Sequence, residues 1–187
     1  MRIIGGTSRG RRLAGAPGTK VRPTADPVKE ALFNILADRI PQARFLDLFA
    51  GTGAVGIEAL SRGASRVTFV ESHAGTRRLL RANLSRCGFE ARADIQATTV
   101  SRFLTKAAGE PYDIVFLDPP YHTDEGKRVL PSLGAGAIMH PDGVLVIEHF
   151  HKTHLEDRIG QLTRVKTYRY GDALLSMYRH SPREDSP

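Results

Sequence analysis

Four short apolar runs punctuate the middle of the chain, at residues 45–49, 67–70, 114–117 and 144–147. Each is continuous rather than alternating, the pattern of a strand buried on both faces. Residues 55–61 and 76–86 between them carry helical periodicity, and a weaker strand at 93–97 and a short helix at 101–107 complete the alternation. Buried strands alternating with helices predict an α/β domain, a mostly parallel sheet with helices on both faces. Upstream, Val28, Ala31, Leu32, Ile35 and Leu36 mark one face of a helix over 26–37, with Asp26 as its cap and Pro27 in its first turn. Downstream, 164–170 and 173–178 are β-like runs joined by Gly171-Asp172, a hairpin signal. The first 23 residues are Gly-rich, with short β-like pieces at 2–4 and 11–13 and turns at Gly5-Gly6 and Pro17-Gly18. The organisation expected is an N-terminal arm or hairpin over 1–23, one domain over 24–180 and a frayed tail over 181–187, without repeats.

Composition narrows the class. The chain has 187 residues, 41% hydrophobic and 25% charged, which suits one globular domain and excludes a disordered one. No apolar run approaches the roughly 18 residues of a membrane span, and the N-terminus has no signal-peptide core. One cysteine, Cys87, excludes an internal disulfide framework. A cytoplasmic monomer is the default expectation. His73, His122, His140, His149, His151 and His154 show no convincing ligand spacing with a carboxylate, so no metal is expected. The net charge is +7 with pI near 9.9. Arg2, Arg9, Arg11, Arg12, Lys20 and Arg22 fall within residues 1–24, where there is no acid. Such clustering predicts a polyanion contact and makes these six the candidate RNA-binding residues.

Two motifs carry chemistry. Asp47-Leu48-Phe49-Ala50-Gly51-Thr52-Gly53-Ala54-Val55-Gly56 leaves the first strand and opens a helix, and its glycines match G-x-G-x-x-G. A tight turn of this kind brings backbone N–H groups and a helix N-terminus close to a ligand. Glu71 ends the second strand 20 positions after Gly51, placed to bind ribose hydroxyls. A nicotinamide dinucleotide and S-adenosylmethionine both fit this pattern. Asp47 favours the second, because a carboxylate attracts a cationic amino-acid moiety and repels a pyrophosphate.

The second motif, Asp118-Pro119-Pro120-Tyr121, follows the third strand and faces the same crevice. The prolines stiffen the loop and aim the Asp118 carboxylate and the Pro119 carbonyl at one point. Two acceptors aimed together suit an exocyclic amine, and Tyr121 offers a face on which a base can stack. Glu148, at the end of the fourth run, is a further candidate for the rim of the crevice.

With these motifs the chain resembles the class I S-adenosylmethionine-dependent methyltransferases that modify exocyclic amines. Within them it is similar to the bacterial enzymes that methylate N2 of guanine 966 in 16S ribosomal RNA. The similarity runs from Met1–Gly6 and Gly10–Leu13 through Arg22-Pro23-Thr24, Lys29–Leu36, Asp47–Gly56 and Phe69–Glu71 to Asp118–Tyr121 and Tyr170–Asp172. It implies a Rossmann-like fold with a seven-stranded, mostly parallel sheet and a C-terminal antiparallel hairpin. It also implies S-adenosylmethionine as cofactor and, as partner, 16S RNA within a small-subunit particle or assembly intermediate. Asp47, Ala50, Gly51, Thr52 and Gly53 would line the methionine part, with Arg22 and Thr24 near its carboxylate. Glu71 would hold the ribose, and Ser72 and His73 would lie near the adenine. Asp118, Pro119 and Tyr121 would hold the guanine, Asp118 also bordering the cofactor. Many relatives place an acid near the adenine where this chain has Ala97–Ser101; Thr99 or the backbone of Val100 would substitute. The rival readings are an adenine-N6 methyltransferase on DNA or RNA, a nicotinamide-dependent oxidoreductase and a non-catalytic RNA-binding module.

Overall fold

The computed structural model describes residues 1–15, 26–106, 109–120 and 123–181. Among the described residues eight strands form one sheet. They are β1 (Arg44–Leu48), β2 (Arg66–Val70), β3 (Ala93–Gln96), β4 (Tyr112–Leu117), β5 (Met139–Phe150), β6 (Arg158–Ile159), β7 (Leu162–Tyr170) and β8 (Ala173–His180). Their order is β3-β2-β1-β4-β5-β8-β7-β6. The first five run parallel. The last three are antiparallel, with β8 returning against β5. The expected hairpin is thus β7–β8. The seven strands expected are joined by an eighth, the two-residue β6, too short to leave a periodic signal.

Among the described residues five α-helices flank the sheet: α1 (Asp26–Ile35), α2 (Ala54–Ser61), α3 (Ala74–Cys87), α4 (Val100–Lys106) and α5 (Glu125–Gly134). Asp26, expected as a cap, is the first helical residue, and α1 stops at Ile35 before a 3-10 turn at Ala37–Arg39. No helix was read at α5, because Gly126, Pro131 and Gly134 interrupt its apolar positions. Alternate strand residues feed two cores. Phe45, Val67, Phe69, Ile114 and Phe116 pack under α1, α2 and α3. Leu46, Leu48, Val115, Leu117 and Ile147 pack under α4 and α5. Among the described residues no helix is long and apolar enough to cross a membrane, and no group of three or more His, Cys, Asp and Glu could hold a metal ion.

The N-terminal arm is a docked element. Arg2 and Arg12 form an antiparallel bridge, and Ile3 and Leu13 are buried in the core beneath α1, α2 and α3. The buried Glu58 carboxylate on α2 accepts the Ile4 N–H at 2.8 Å and the Gly5 N–H at 2.7 Å. The same carboxylate pairs with Arg62 Nε at 2.8 Å and with Lys29 Nζ of α1 at 3.5 Å. Lys29 Nζ in turn donates to the Arg2 carbonyl. Ser61 Oγ accepts the Ser8 N–H and donates to the Gly5 carbonyl. Asn83 of α3 accepts the Ala14 N–H at 2.8 Å and donates to the Ala14 carbonyl at 3.1 Å and the Thr52 carbonyl at 3.0 Å.

Glu58 and Lys29 have fully buried side chains, and breaking such a pair leaves a charge without compensation. Lys29→Met is expected to cost about 3 kcal/mol, read as a lowered midpoint in urea unfolding. A change within about 0.5 kcal/mol, the range of an ordinary surface substitution, would show that Arg62 and the two arm N–H groups satisfy Glu58 without Lys29.

Candidate active site

Because β1 lies between β2 and β4, the carboxyl ends of three parallel strands meet at one edge. Leu48 is level with both Val70 and Leu117, and Val70 with Gln96. The residues that follow these ends are the glycine turn, Glu71, Asp118 and the segment leading to Thr99. A crevice at such a switch point, outside the strand ends, is where ligands bind in open α/β sheets.

The turn is held from both sides. Ala50 N–H donates to the Val70 carbonyl at 3.0 Å and Gly53 N–H to the Ala50 carbonyl at 2.8 Å. Gly53 caps α2 with φ +84°, a conformation that calls for glycine, and a Cβ there would also have to displace Leu80 Cδ1, 2.2 Å away. At Gly56 a Cβ would meet Phe69 Cε1 at 2.2 Å, so that glycine lets α2 lie close on β2. Phe49 holds φ at +61°, a left-handed conformation that costs a bulky residue about 1–3 kcal/mol.

Asp47 lies beneath the turn, 2% exposed. Its Oδ2 accepts the Gly56 N–H at 2.9 Å. Burial pushes this carboxyl up to about 7; the Gly56 hydrogen bond opposes the rise and the Glu71 charge adds to it. Glu71 spans the crevice mouth, with Oε2 accepting the Gly51 N–H at 3.0 Å and Oε1 the His73 N–H at 2.7 Å. Ser72 and His73 are exposed, and His73 Nδ1 caps α3 by accepting the Thr76 N–H at 3.3 Å. The Thr99 hydroxyl accepts the Arg102 N–H at 3.3 Å and so caps α4, while Val100 is buried in the core under α4 and α5.

Asp118 and Pro119 are half-buried beyond β4. The loop is closed by Thr123, whose N–H and hydroxyl both donate to the Pro120 carbonyl. The first turn of α5 presses on it, for a Cβ at Gly126 would meet Pro119 Cγ at 2.5 Å. Beside Pro119 opens a cleft of about 540 Å³ walled by Lys127, Leu130, Glu148, Lys152 and Leu155. Glu148, expected at the rim of the crevice, lines this cleft beside Pro119. Next to it His149 is buried, 2.9 Å from Ser176 Oγ, and burial lowers its pKa. A larger groove of about 710 Å³, lined by Arg44, Arg66, Arg102 and Lys106, contains neither motif.

Asp47, Ala50, Gly51, Thr52, Gly53, Glu71, Ser72, Thr99, Val100, Asp118 and Pro119 thus gather at one edge of the sheet or directly beneath it. Arg22, Thr24, Lys20 and Tyr121 lie outside the described residues. Arg2, Arg9, Arg11 and Arg12 are exposed on the docked arm. The sequence reading missed Lys29, Glu58, Asn83 and Gly126. For Glu58 the signal was an acid in the middle of the otherwise apolar α2.

The family described as Conserved hypothetical protein 95 matches residues 1–179. The chain belongs to that family. The Haemophilus influenzae ribosomal RNA small subunit methyltransferase D is 38% identical over 151 residues, 79% of this chain and 78% of that one. The Bacillus subtilis candidate rRNA methyltransferase YlbH is 34% identical over 181 residues, 96% of this chain and 98% of that one. Among solved structures the Escherichia coli candidate methyltransferase yhhF superposes with a TM-score of 0.82 at 32% identity, covering 97% of this chain and 98% of that one. The fold is the Rossmann-like class I methyltransferase fold.

The raised Asp47 carboxyl predicts a pH effect on stability. In the unfolded chain it ionises near its ordinary 3.8, and in the folded protein only near 7. Between those values the folded state holds a proton that the unfolded state has lost. This group therefore lowers stability as pH rises through that window, by up to about 1.4 kcal/mol per unit. Asp47→Asn keeps an acceptor for Gly56 and is expected to remove this slope. Thermal unfolding of both proteins at several pH values from about 4 to about 8 tests it, and parallel curves would show a carboxyl that titrates normally.

Proposed function

We propose that this chain transfers a methyl group from S-adenosylmethionine to the exocyclic N2 amine of a guanine in 16S ribosomal RNA, at the nucleotide equivalent to guanine 966. The observation that carries the reading is the register Leu48↔Leu117. It puts the glycine turn and the Asp118-Pro119 pair on neighbouring strand ends, so a cofactor on the first lies beside an amine on the second. The relatives named as small-subunit RNA methyltransferases support the substrate class.

The crevice fits this cofactor. At Gly51 a Cβ would meet a single atom within 4 Å, the Phe49 carbonyl oxygen at 3.9 Å, so the turn has an open side. Glu71, and Asp47 once a cation in the crevice favours its ionised form, suit a ligand bearing an ammonium, a sulfonium and ribose hydroxyls. A nicotinamide dinucleotide would bring a pyrophosphate toward Asp47, which disfavours the oxidoreductase reading. The turn from Ala50 to Gly53 would hold the methionine part, with Arg22 and Thr24 at its carboxylate. Glu71 would release Gly51 or His73 to take the ribose, and Ser72, Thr99 and Val100 would border the adenine. Bound S-adenosylmethionine supplies a methyl group activated by its sulfonium.

The chain's own groups prepare the acceptor. The N2 lone pair of guanine is delocalised into its ring. Asp118 and the Pro119 carbonyl each accept one amine N–H, drawing the nitrogen toward tetrahedral geometry and freeing the lone pair. By the family resemblance Tyr121 would stack on the base, and the cleft beside Pro119 would receive its nucleotide. Alignment provides most of the acceleration. The acceptor nitrogen would gain the methyl group that the bound cofactor supplies, and its excess proton would leave to solvent. No strong base is needed, because the methylated nitrogen is acidic. N2 of a paired guanine is not available in this geometry, so the base must come from a loop or be flipped out.

Pure protein, labelled S-adenosylmethionine and small-subunit particles lacking native methylation test the reading, with large-subunit RNA and duplex DNA as controls. Nucleoside mass spectrometry is expected to find N2-methylguanosine confined to the small-subunit RNA. N6-methyladenine, or no product, would overturn the assignment. Asp118→Ala is expected to lower turnover at least about a hundredfold, the usual scale for one lost polar contact to the reacting group, while cofactor affinity stays within about twofold. Gly126→Ala should push Pro119 out of place and cost about 1–3 kcal/mol of stability, with turnover falling more than cofactor affinity. Equal loss of both would place α5 outside the acceptor site.

A further inference from the structure

One charged surface is used by neither the glycine turn nor the Asp118 loop. Residues 1–15 carry Arg2, Arg9, Arg11 and Arg12 and no acid. The 14-residue α3 carries Arg77, Arg78, Arg81 and Arg86 and no acid either. Eight of the chain's 27 Lys and Arg residues therefore sit on two elements that touch. A solvated helix ordinarily interleaves acids at i+3 or i+4. Here Arg77 and Arg81 stand four apart, Arg78 and Arg81 three apart, and the repulsion is left without a partner charge on the helix.

The two elements are also locked together. The Arg11 guanidinium donates to the Arg86 carbonyl, and Arg86 Nη1 donates to the Arg12 carbonyl at 3.4 Å. Asn83 joins α3 to Ala14 by a bond in each direction. Arg9, Arg11, Arg12, Arg78, Arg81 and Arg86 are all exposed on this joined body. At its other end, Arg77 Nη1 donates to the Glu71 carbonyl at 3.0 Å, so α3 starts at the mouth of the crevice.

We propose that the arm and α3 form a single arginine ridge that binds the phosphodiester backbone of RNA, and that Arg78 and Arg81 on the outer face of α3 carry part of the substrate affinity. Guanidinium groups are suited to phosphate because their planar donors bind it in pairs. Their fixed spacing means that the ridge is ordered before RNA arrives. The nature of the polyanion rests on the function proposed above; the ridge itself rests on charge and geometry.

The test is binding of unmethylated small-subunit RNA to the full chain across a series of KCl concentrations. Arg78→Ala/Arg81→Ala is expected to make log K against log [salt] shallower by about 1.4, two contacts at about 0.7 each for single strands. Affinity at low salt should fall roughly tenfold. Arg78→Lys/Arg81→Lys keeps the charge and should recover most of the slope. Arg158→Ala/Arg169→Ala, on the antiparallel end of the sheet, removes the same charge and should leave the slope unchanged. S-adenosylmethionine binding by each variant reports whether it is folded. Wild-type slope and affinity in the double alanine variant would overturn the ridge, as would an equal loss in the distant pair. If the ridge variants flatten the slope but the wild type makes no N2-methylguanosine, the ridge stands and the proposed reaction falls. If that product forms while ridge variants bind like wild type, the reaction stands and the ridge falls.

Discussion

A carboxylate with no access to water dominates the architecture of this domain. Glu58 sits in the middle of α2, and an ion placed there without compensation costs several kcal/mol. Three groups supply the compensation: two N–H groups of the arm, the ammonium of α1 and the guanidinium of Arg62, the residue that caps the end of α2. These elements must dock together or not at all. The helix that makes this demand is also the one whose first residue leaves the glycine turn, so the arm and the cofactor crevice are parts of one body. Asn83 closes the circuit by holding Ala14 with one side of its amide and Thr52 with the other.

The other constraint lies at the carboxyl end of β1. Asp47, beneath the turn, reaches over to the Gly56 N–H, and Phe49 carries the backbone through a left-handed step. Both cost free energy in the folded chain: one by burying an acid, the other by backbone strain. The offset comes from packing, since Phe45, Leu46 and Leu48 around them are fully buried. A turn set in advance does not have to be ordered when ligand binds.

The parallel strands were legible because burial on both faces leaves continuous apolar runs, and the closing hairpin because Gly171-Asp172 interrupts two β-rich stretches. α5 was hidden by the residues that its packing requires. Gly126 admits Pro119, and a Cβ at Gly134 would strike the Ile159 carbonyl oxygen at 2.6 Å, so glycines that looked like breakers are contacts. In the site, Glu71 and Asp118 could be found because each follows an apolar run, and Asp47 because it interrupts one. Thr99 could be placed at the crevice, but the capping bond it makes needed the structure. Lys29 and Asn83 were invisible because their partners are remote. A lysine in an amphipathic helix gives no sign that a carbonyl 27 residues earlier receives it.

That remoteness has a consequence for how the chain comes into being. Apart from the 27-residue span from Lys29 to Arg2, the bonds that fix the arm on α2 and α3 join residues 53 to 75 positions apart, from Gly5–Glu58 to Arg11–Arg86. A chain emerging from the ribosome presents its N-terminus first, so the arm is exposed while α2 and then α3 are still being made. Throughout that interval its arginines have no dock, and Ile3 and Leu13 have no core. The arm is therefore made before the elements that fix it yet cannot reach its final place until they exist, and any binding that depends on the docked arm must wait until translation has passed Arg86.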